Sequence, residues 1–108
     1  MSHVTTHVLD TALGMPAAGI AVALTGPGGT MIGVGETNAD GRIADLGPEV
    51  LPAGDYRLEF AVGAYFRSAG RTSFYPRVTI DFIVTDVDAH YHVPLLLSPF
   101  AYSTYRGS

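Results

Sequence analysis

Two segments of this chain alternate apolar and polar residues without a break, and that alternation limits the fold more than any other feature. In DYRLEFAV, Tyr56, Leu58, Phe60 and Val62 share one face while Asp55, Arg57 and Glu59 share the other. RVTIDFIV repeats the pattern, with Val78, Ile80, Phe82 and Val84 set against Arg77, Thr79 and Asp81. Successive side chains of a β-strand point to opposite faces of the sheet, so each segment is a strand with one face in a core. IAVALTG and MIGVGET add two strands joined through GPGG, Asp40-Gly41 in TNADGR marks a second turn, and AYSTY has strand character. With 13 glycines and 7 prolines dividing the rest, only GAYFRSAGR has room for a short helix. About seven or eight short strands at intervals of roughly ten residues predict an all-β sandwich.

At 108 residues the chain is expected to form one domain spanning 1–108. A hydrophobic content of 47% is enough for a core and argues against disorder. The absence of cysteine excludes disulfides, thiol catalysis and cysteine-based zinc sites. The net charge is −4 and every basic residue is an arginine, with no basic stripe, so nucleic acid is not an expected partner. No apolar run approaches the ~18 residues needed to span a bilayer, so no membrane partner is expected. MSHVTTHVLD lacks a basic segment followed by an apolar one, so no export signal is read and the cytoplasm is the expected compartment.

The histidines hold most of the chemical interest, because an ordinary pKa of ~6.5 allows proton traffic near neutrality. Four are present, His3 and His7 near the start, His90 and His92 near the end. If HYHVPLLL is a strand, Tyr91, Val93, Leu95 and Leu97 make a core face. His90, His92, Pro94 and Leu96 then point the other way. In VTTHVL, Val4, Thr6 and Val8 take one side, while Thr5, His7 and Leu9 take the other. His7 and at least one of His90 and His92 thus fall on the non-core face of one sheet. Three uses remain open for them: ordinary surface or interface packing, a metal held by the H-x-H pair with His7, or acid–base chemistry.

Arg42 follows a tight turn and offers a planar fork of donors for carbonyl or enolate oxygens, although a solvated turn arginine has the same spacing. The chain stops on YRGS, so Tyr105, Arg106, Gly107 and Ser108 bring a phenol, a guanidinium, a flexible glycine and a hydroxyl close to the terminal carboxylate. Gly107 is expected to let the backbone turn and bring those groups inward. No serine sits in a G-x-S-x-G elbow, which argues against a Ser-His-Asp hydrolase. GPGG lacks the helix and lysine of a phosphate loop.

THVLD, TNADGR, DAHYHVPLLLSPF and the terminal YRGS together resemble the 5-hydroxyisourate hydrolases, the transthyretin-related proteins of purine breakdown. The resemblance runs from His7 to Ser108, and YRGS is its most specific part, since transthyretin itself lacks it. It implies a transthyretin-like sandwich of two four-stranded sheets with one short helix, placed where GAYFRSAG stands. It also implies a homotetramer, a dimer of dimers, with active sites in the channel between dimers.

Carried over motif by motif, it implies that His7, Arg42, His92 and Ser108 are catalytic. Tyr105 and Arg106, with His7 and Arg42, would bind substrate, while His90 and Gly107 would support. The implied reaction opens a cyclic amide of 5-hydroxyisourate to a ureido-imidazoline carboxylate, with water attacking a carbonyl and no metal or other cofactor. The alternative is a transthyretin-like carrier binding a small aromatic ligand in the same channel. A third possibility is a structural sandwich whose histidines pack an interface.

Overall fold

A computed structural model describes residues 2–108. In chain order the elements are β1 (Val4–Asp10), β2 (Met15–Pro16), β3 (Ala21–Thr25), β4 (Met31–Glu36), β5 (Arg42–Ile43), β6 (Gly54–Phe60), α1 (Val62–Ser68), β7 (Val78–Val84), β8 (Tyr91–Ser98) and β9 (Ala101–Thr104). They form two facing sheets. One has the order β4-β3-β6-β7, and the other runs β2-β1-β8-β9 with the two-residue β5 also pairing β1. This is the expected sandwich, with the helix at the expected place. The alternation seen in DYRLEFAV continues past the strand's end, because Val62 already belongs to α1 and remains fully buried. No helix among the described residues is long and apolar enough to cross a membrane.

The alternating faces meet in a common core. Val4, Val8, Leu95 and Leu97 come from one sheet, and Val22, Leu24, Leu58 and Phe60 from the other, all but inaccessible to solvent. Each such side chain contributes roughly 1.5–3 kcal/mol through burial. Thr6 sits among them on β1 and satisfies its hydroxyl by donating to the Val93 carbonyl at 2.6 Å. His3 is also buried, and both ring nitrogens are used. Nε2–H donates to Ala89 O at 2.6 Å, while Nδ1 accepts from Leu51 N–H at 2.8 Å. His3 therefore ties two loops to the start of β1 and has no nitrogen left for chemistry.

β1 is the strand that positions everything else. It pairs parallel with β8 in the register Val4↔Tyr91, Thr5↔His92, Thr6↔Val93, His7↔Pro94 and Val8↔Leu95. On its other edge it pairs antiparallel with β5, His7 opposite Arg42. The turn before β5 is built by Asn38, whose Oδ1 accepts from the Asp40 and Arg42 amides at 2.9 and 3.0 Å. Gly41 closes it at φ +74°, and its carbonyl accepts from Val8 N–H at 2.7 Å. A Cβ on Gly41 would collide with the Val8 carbonyl, so glycine is required both by φ and by space.

The far end of β1 is anchored by a charge that the sequence reading missed. Asp10 is fully buried and accepts from Arg71 at 2.6 and 3.3 Å, from the Tyr65 hydroxyl at 2.8 Å and from Leu13 N–H at 3.1 Å. Arg71 in turn lies 4.9 Å over the Phe66 ring. Burial alone would raise the Asp10 carboxyl, but the bonds from Arg71, Tyr65 and Leu13 and the arginine charge outweigh it and hold the group below its ordinary value. Stability linked to Asp10 is accordingly present above the ordinary carboxylate pKa and lost as the pH falls through the lowered one. Arg71→Met leaves a buried carboxylate without its cation and should lower unfolding free energy by about 3 kcal/mol. Urea unfolding at neutral pH reads this directly. A change below about 0.5 kcal/mol would mean that the tyrosine and amide bonds suffice.

Candidate active site

The outward face of the β1–β8–β5 sheet gathers the residues that the sequence singled out. Because paired residues project on the same side, the register sets Thr5 beside His92, and His7 beside both Arg42 and Pro94. His90 stands immediately ahead of β8. The chain end returns antiparallel, with Gly107 bridged to His92 and donating its N–H to His92 O at 2.8 Å. The result is a depression of about 350 Å³ lined by Thr5, Thr6, Arg42, Ile43, Ala44, His90, His92 and Ser108. His7 borders this group from the next outward position of β1 and is half-buried. Arg42, His90 and Ser108 are exposed, while His92 is half-buried.

Thr5 was not a candidate from sequence, yet it is the hub of the hydrogen bonding here. It is only 8% exposed, and its Oγ1 lies 2.8 Å from His90 Nε2 and 2.8 Å from His92 Nδ1. The remaining ring nitrogen of His92, Nε2, has no hydrogen-bond partner among the described residues. Burial lowers the pKa of His92 below its ordinary value of 6.5. The charges of Arg42, His7 and His90 push the same way, and a bond with Thr5 opposes them. A half-buried imidazole kept neutral beside a guanidinium is suited to accept a proton at neutral pH.

Gly107 acts differently from the expectation that it turns the backbone. It lies outside the left-handed region. A Cβ there would stand 2.5 Å from His92 Cδ2 and 3.3 Å from Pro94 Cγ, so the glycine lets the chain end lie flat on the imidazole. Tyr105 and Arg106 are not brought into the depression. They line a second cavity of about 350 Å³ with Ile80, Phe82, Tyr91 and Val93, which His92 also lines. The Arg106 guanidinium stacks 4.4 Å above the Tyr91 ring. Among the described residues, no group of three or more His, Cys, Asp or Glu is arranged to hold a metal ion.

Comparison with known proteins gives this arrangement its context. The family model described as HIUase/Transthyretin matches residues 4–107. The chain is 47% identical to the 5-hydroxyisourate hydrolase of Caulobacter vibrioides over the full length of both. It superposes on the structure of Klebsiella pneumoniae 5-hydroxyisourate hydrolase with a TM-score of 0.89 and 45% identity, covering 97% of this chain and 98% of that one. It also superposes on sea bream transthyretin in complex with thyroxine, TM-score 0.90 and 35% identity, over 96% of this chain and 93% of that one. The backbone alone thus fits the hydrolase and the thyroxine-bound transthyretin about equally well. On sequence and fold together, the chain belongs to the HIUase/transthyretin family.

Proposed function

We propose that this protein hydrolyses 5-hydroxyisourate, opening its cyclic amide to 2-oxo-4-hydroxy-4-carboxy-5-ureidoimidazoline in urate degradation. The observation that carries the proposal is the convergence of His7, Arg42, His90, His92 and Ser108 on one face, in a chain nearly half identical to proteins named for that reaction. His92 Nε2 takes a proton from water as the water oxygen bonds to the carbonyl carbon. The carbonyl electron pair moves onto oxygen, where Arg42 meets the developing charge with its fork of N–H donors. Collapse of the tetrahedral centre expels the ring nitrogen, which takes the proton back from His92. His7, beside Arg42, and Ser108 orient the substrate. No step calls for a metal or cofactor.

The proposed assembly is a homotetramer, a dimer of dimers, with this face turned into a channel between dimers. Half-buried Leu9 and Leu96 share the face with the histidines. Ile83 and Tyr102, 61% and 41% exposed, lie on the edge strands β7 and β9, where further strands can pair. In such an assembly Tyr105 and Arg106 are offered to substrate across a subunit boundary, which reconciles a binding role with their position in the second cavity. The carrier reading draws on that cavity's aromatic lining and on the likeness to thyroxine-bound transthyretin. It predicts ligand binding without turnover.

The decay of freshly generated 5-hydroxyisourate, followed by ultraviolet absorbance, separates these readings. Native protein should accelerate the decay, and His92→Asn should lower kcat by about 10²–10⁴ with little change in KM. A decay rate unchanged by native protein would leave the carrier reading.

Deleting Tyr105 to Ser108 should abolish turnover while the fold persists, because β9 and Tyr105 and Arg106 are solvent-exposed and add little to the core. Light scattering should give a tetramer mass for both native and shortened chains. Full turnover by the shortened chain would remove YRGS from the site, and a monomeric native mass would sink the channel.

A further inference from the structure

The hydroxyl of Thr5 contacts two imidazoles with a single proton, and that imbalance has chemical consequences. Oγ1 lies 2.8 Å from His90 Nε2 and 2.8 Å from His92 Nδ1. With both rings neutral, three arrangements are conceivable. In the first, His92 Nδ1–H donates to Oγ1 and the Thr5 proton goes to His90 Nε2. In the second, His90 Nε2–H donates to Oγ1 and the Thr5 proton goes to His92 Nδ1. In the third, both rings donate and the hydroxyl proton is left without an acceptor at a position only 8% exposed. The third wastes a buried donor and is disfavoured.

The first two differ in what His92 presents to the depression. In the first its Nε2 carries a lone pair, and in the second an N–H. The groups around the ring discriminate between them. Arg42 on β5 lines the same depression as His92, and a cation there favours a lone pair over an N–H dipole. His7 on β1 and His90 ahead of β8 are the other titratable neighbours on this side. Asp81, Tyr91, Tyr105 and Arg106 share the second cavity with His92.

We propose that Thr5 is a positioning residue whose hydroxyl, by accepting from His92 Nδ1–H and donating to His90 Nε2, holds His92 in the tautomer that exposes Nε2 as a proton acceptor. The same geometry couples the two histidines. A proton gained by His90 at Nε2 reverses its contact with Thr5 and turns the hydroxyl toward His92 Nδ1, which gives up its own proton to solvent while Nε2 takes one from solvent and becomes a donor. His90, which is exposed, thereby acts on the base through one intervening oxygen. Rotation of the hydroxyl moves no heavy atom, so the change is compatible with a rigid sheet. When water loses its proton to Nε2, the imidazolium keeps its Nδ1–H on Thr5, and Nε2–H remains available for the leaving nitrogen. Every proton in the cycle is accounted for by His92 alone, with Thr5 as its orienter.

The inference rests on the reading of His92 as general base, and its test separates the two. Nitrogen-15 chemical shifts of the histidine rings in the labelled native protein report the tautomer without reference to activity. His92 should be protonated at Nδ1 and bare at Nε2 above its titration. Thr5→Val keeps the shape and removes the hydroxyl, so Nε2–H should gain population and kcat should fall about 10–100-fold with KM changed less than about twofold. Thr5→Ser should restore both the shifts and the rate.

Native His92 found with its proton on Nε2 overturns the proposal, whether or not any variant folds. A Thr5→Val protein with native shifts and native kcat overturns it equally. A tautomer lost in Thr5→Val with kcat unchanged supports the assignment of Thr5 and removes His92 from the base role.

Discussion

The parallel ladder between β1 and β8 is the constraint on which the rest of the molecule depends. It joins the first strand to one more than eighty residues later, Val4 to Tyr91 through Asp10 to Leu97. Closing so long a loop costs little more than closing a short one, because the entropy grows only with the logarithm of length. The ladder is held from its inner side by Val4, Val8, Val93, Leu95 and Leu97, all in the core. Since side chains alternate, a slip of one residue would turn these outward and drive His7 and His92 into apolar surroundings. The core thus enforces the geometry of the outer face, and Ile43 belongs both to the core and to the lining of the depression.

Two environments on the ladder show how burial yields opposite results. Asp10 at one end is fully buried yet held charged, because Arg71, Tyr65 and the Leu13 amide compensate it. His92 is half-buried and pressed toward neutrality, because burial and its neighbours Arg42, His7 and His90 all oppose a second positive charge. The first arrangement fastens the helix and its following loop to the sheet. The second leaves an uncharged base at neutral pH with one nitrogen open. Both follow from which partner stands opposite, which the β1 register decides.

Much of this was legible in the sequence. Strands of period two announced themselves, and so did the faces of VTTHVL and HYHVPLLL, since a residue's side of the sheet follows from its parity alone. What parity cannot supply is which strand lies beside which. Thr5 therefore escaped notice, because its two imidazole partners are 85 and 87 residues away. The buried pair of Asp10 and Arg71, 61 residues apart, escaped for the same reason. His7, Arg42, His92 and YRGS took site roles by resemblance to a family, since spacing alone favoured a solvated turn arginine and surface or interface histidines. Gly107 was expected to bend the backbone, whereas its missing side chain makes room for the His92 ring. Tyr105 and Arg106 line the second cavity and not the depression, and the chain bridges to His92 at Gly107.

The central claim is that a neutral His92 on this outer face takes the proton from water. The measurement that tests it most directly is the pH dependence of kcat/KM for native protein and His92→Asn, corrected for spontaneous decay of the substrate. The native rate should hold through neutrality and fall only on the acid side of the ordinary histidine value of 6.5, as the lowered pKa of His92 requires. The acid limb should be absent from the residual rate of the variant. A native limb at or above 6.5, or the same limb in both proteins, would contradict the account.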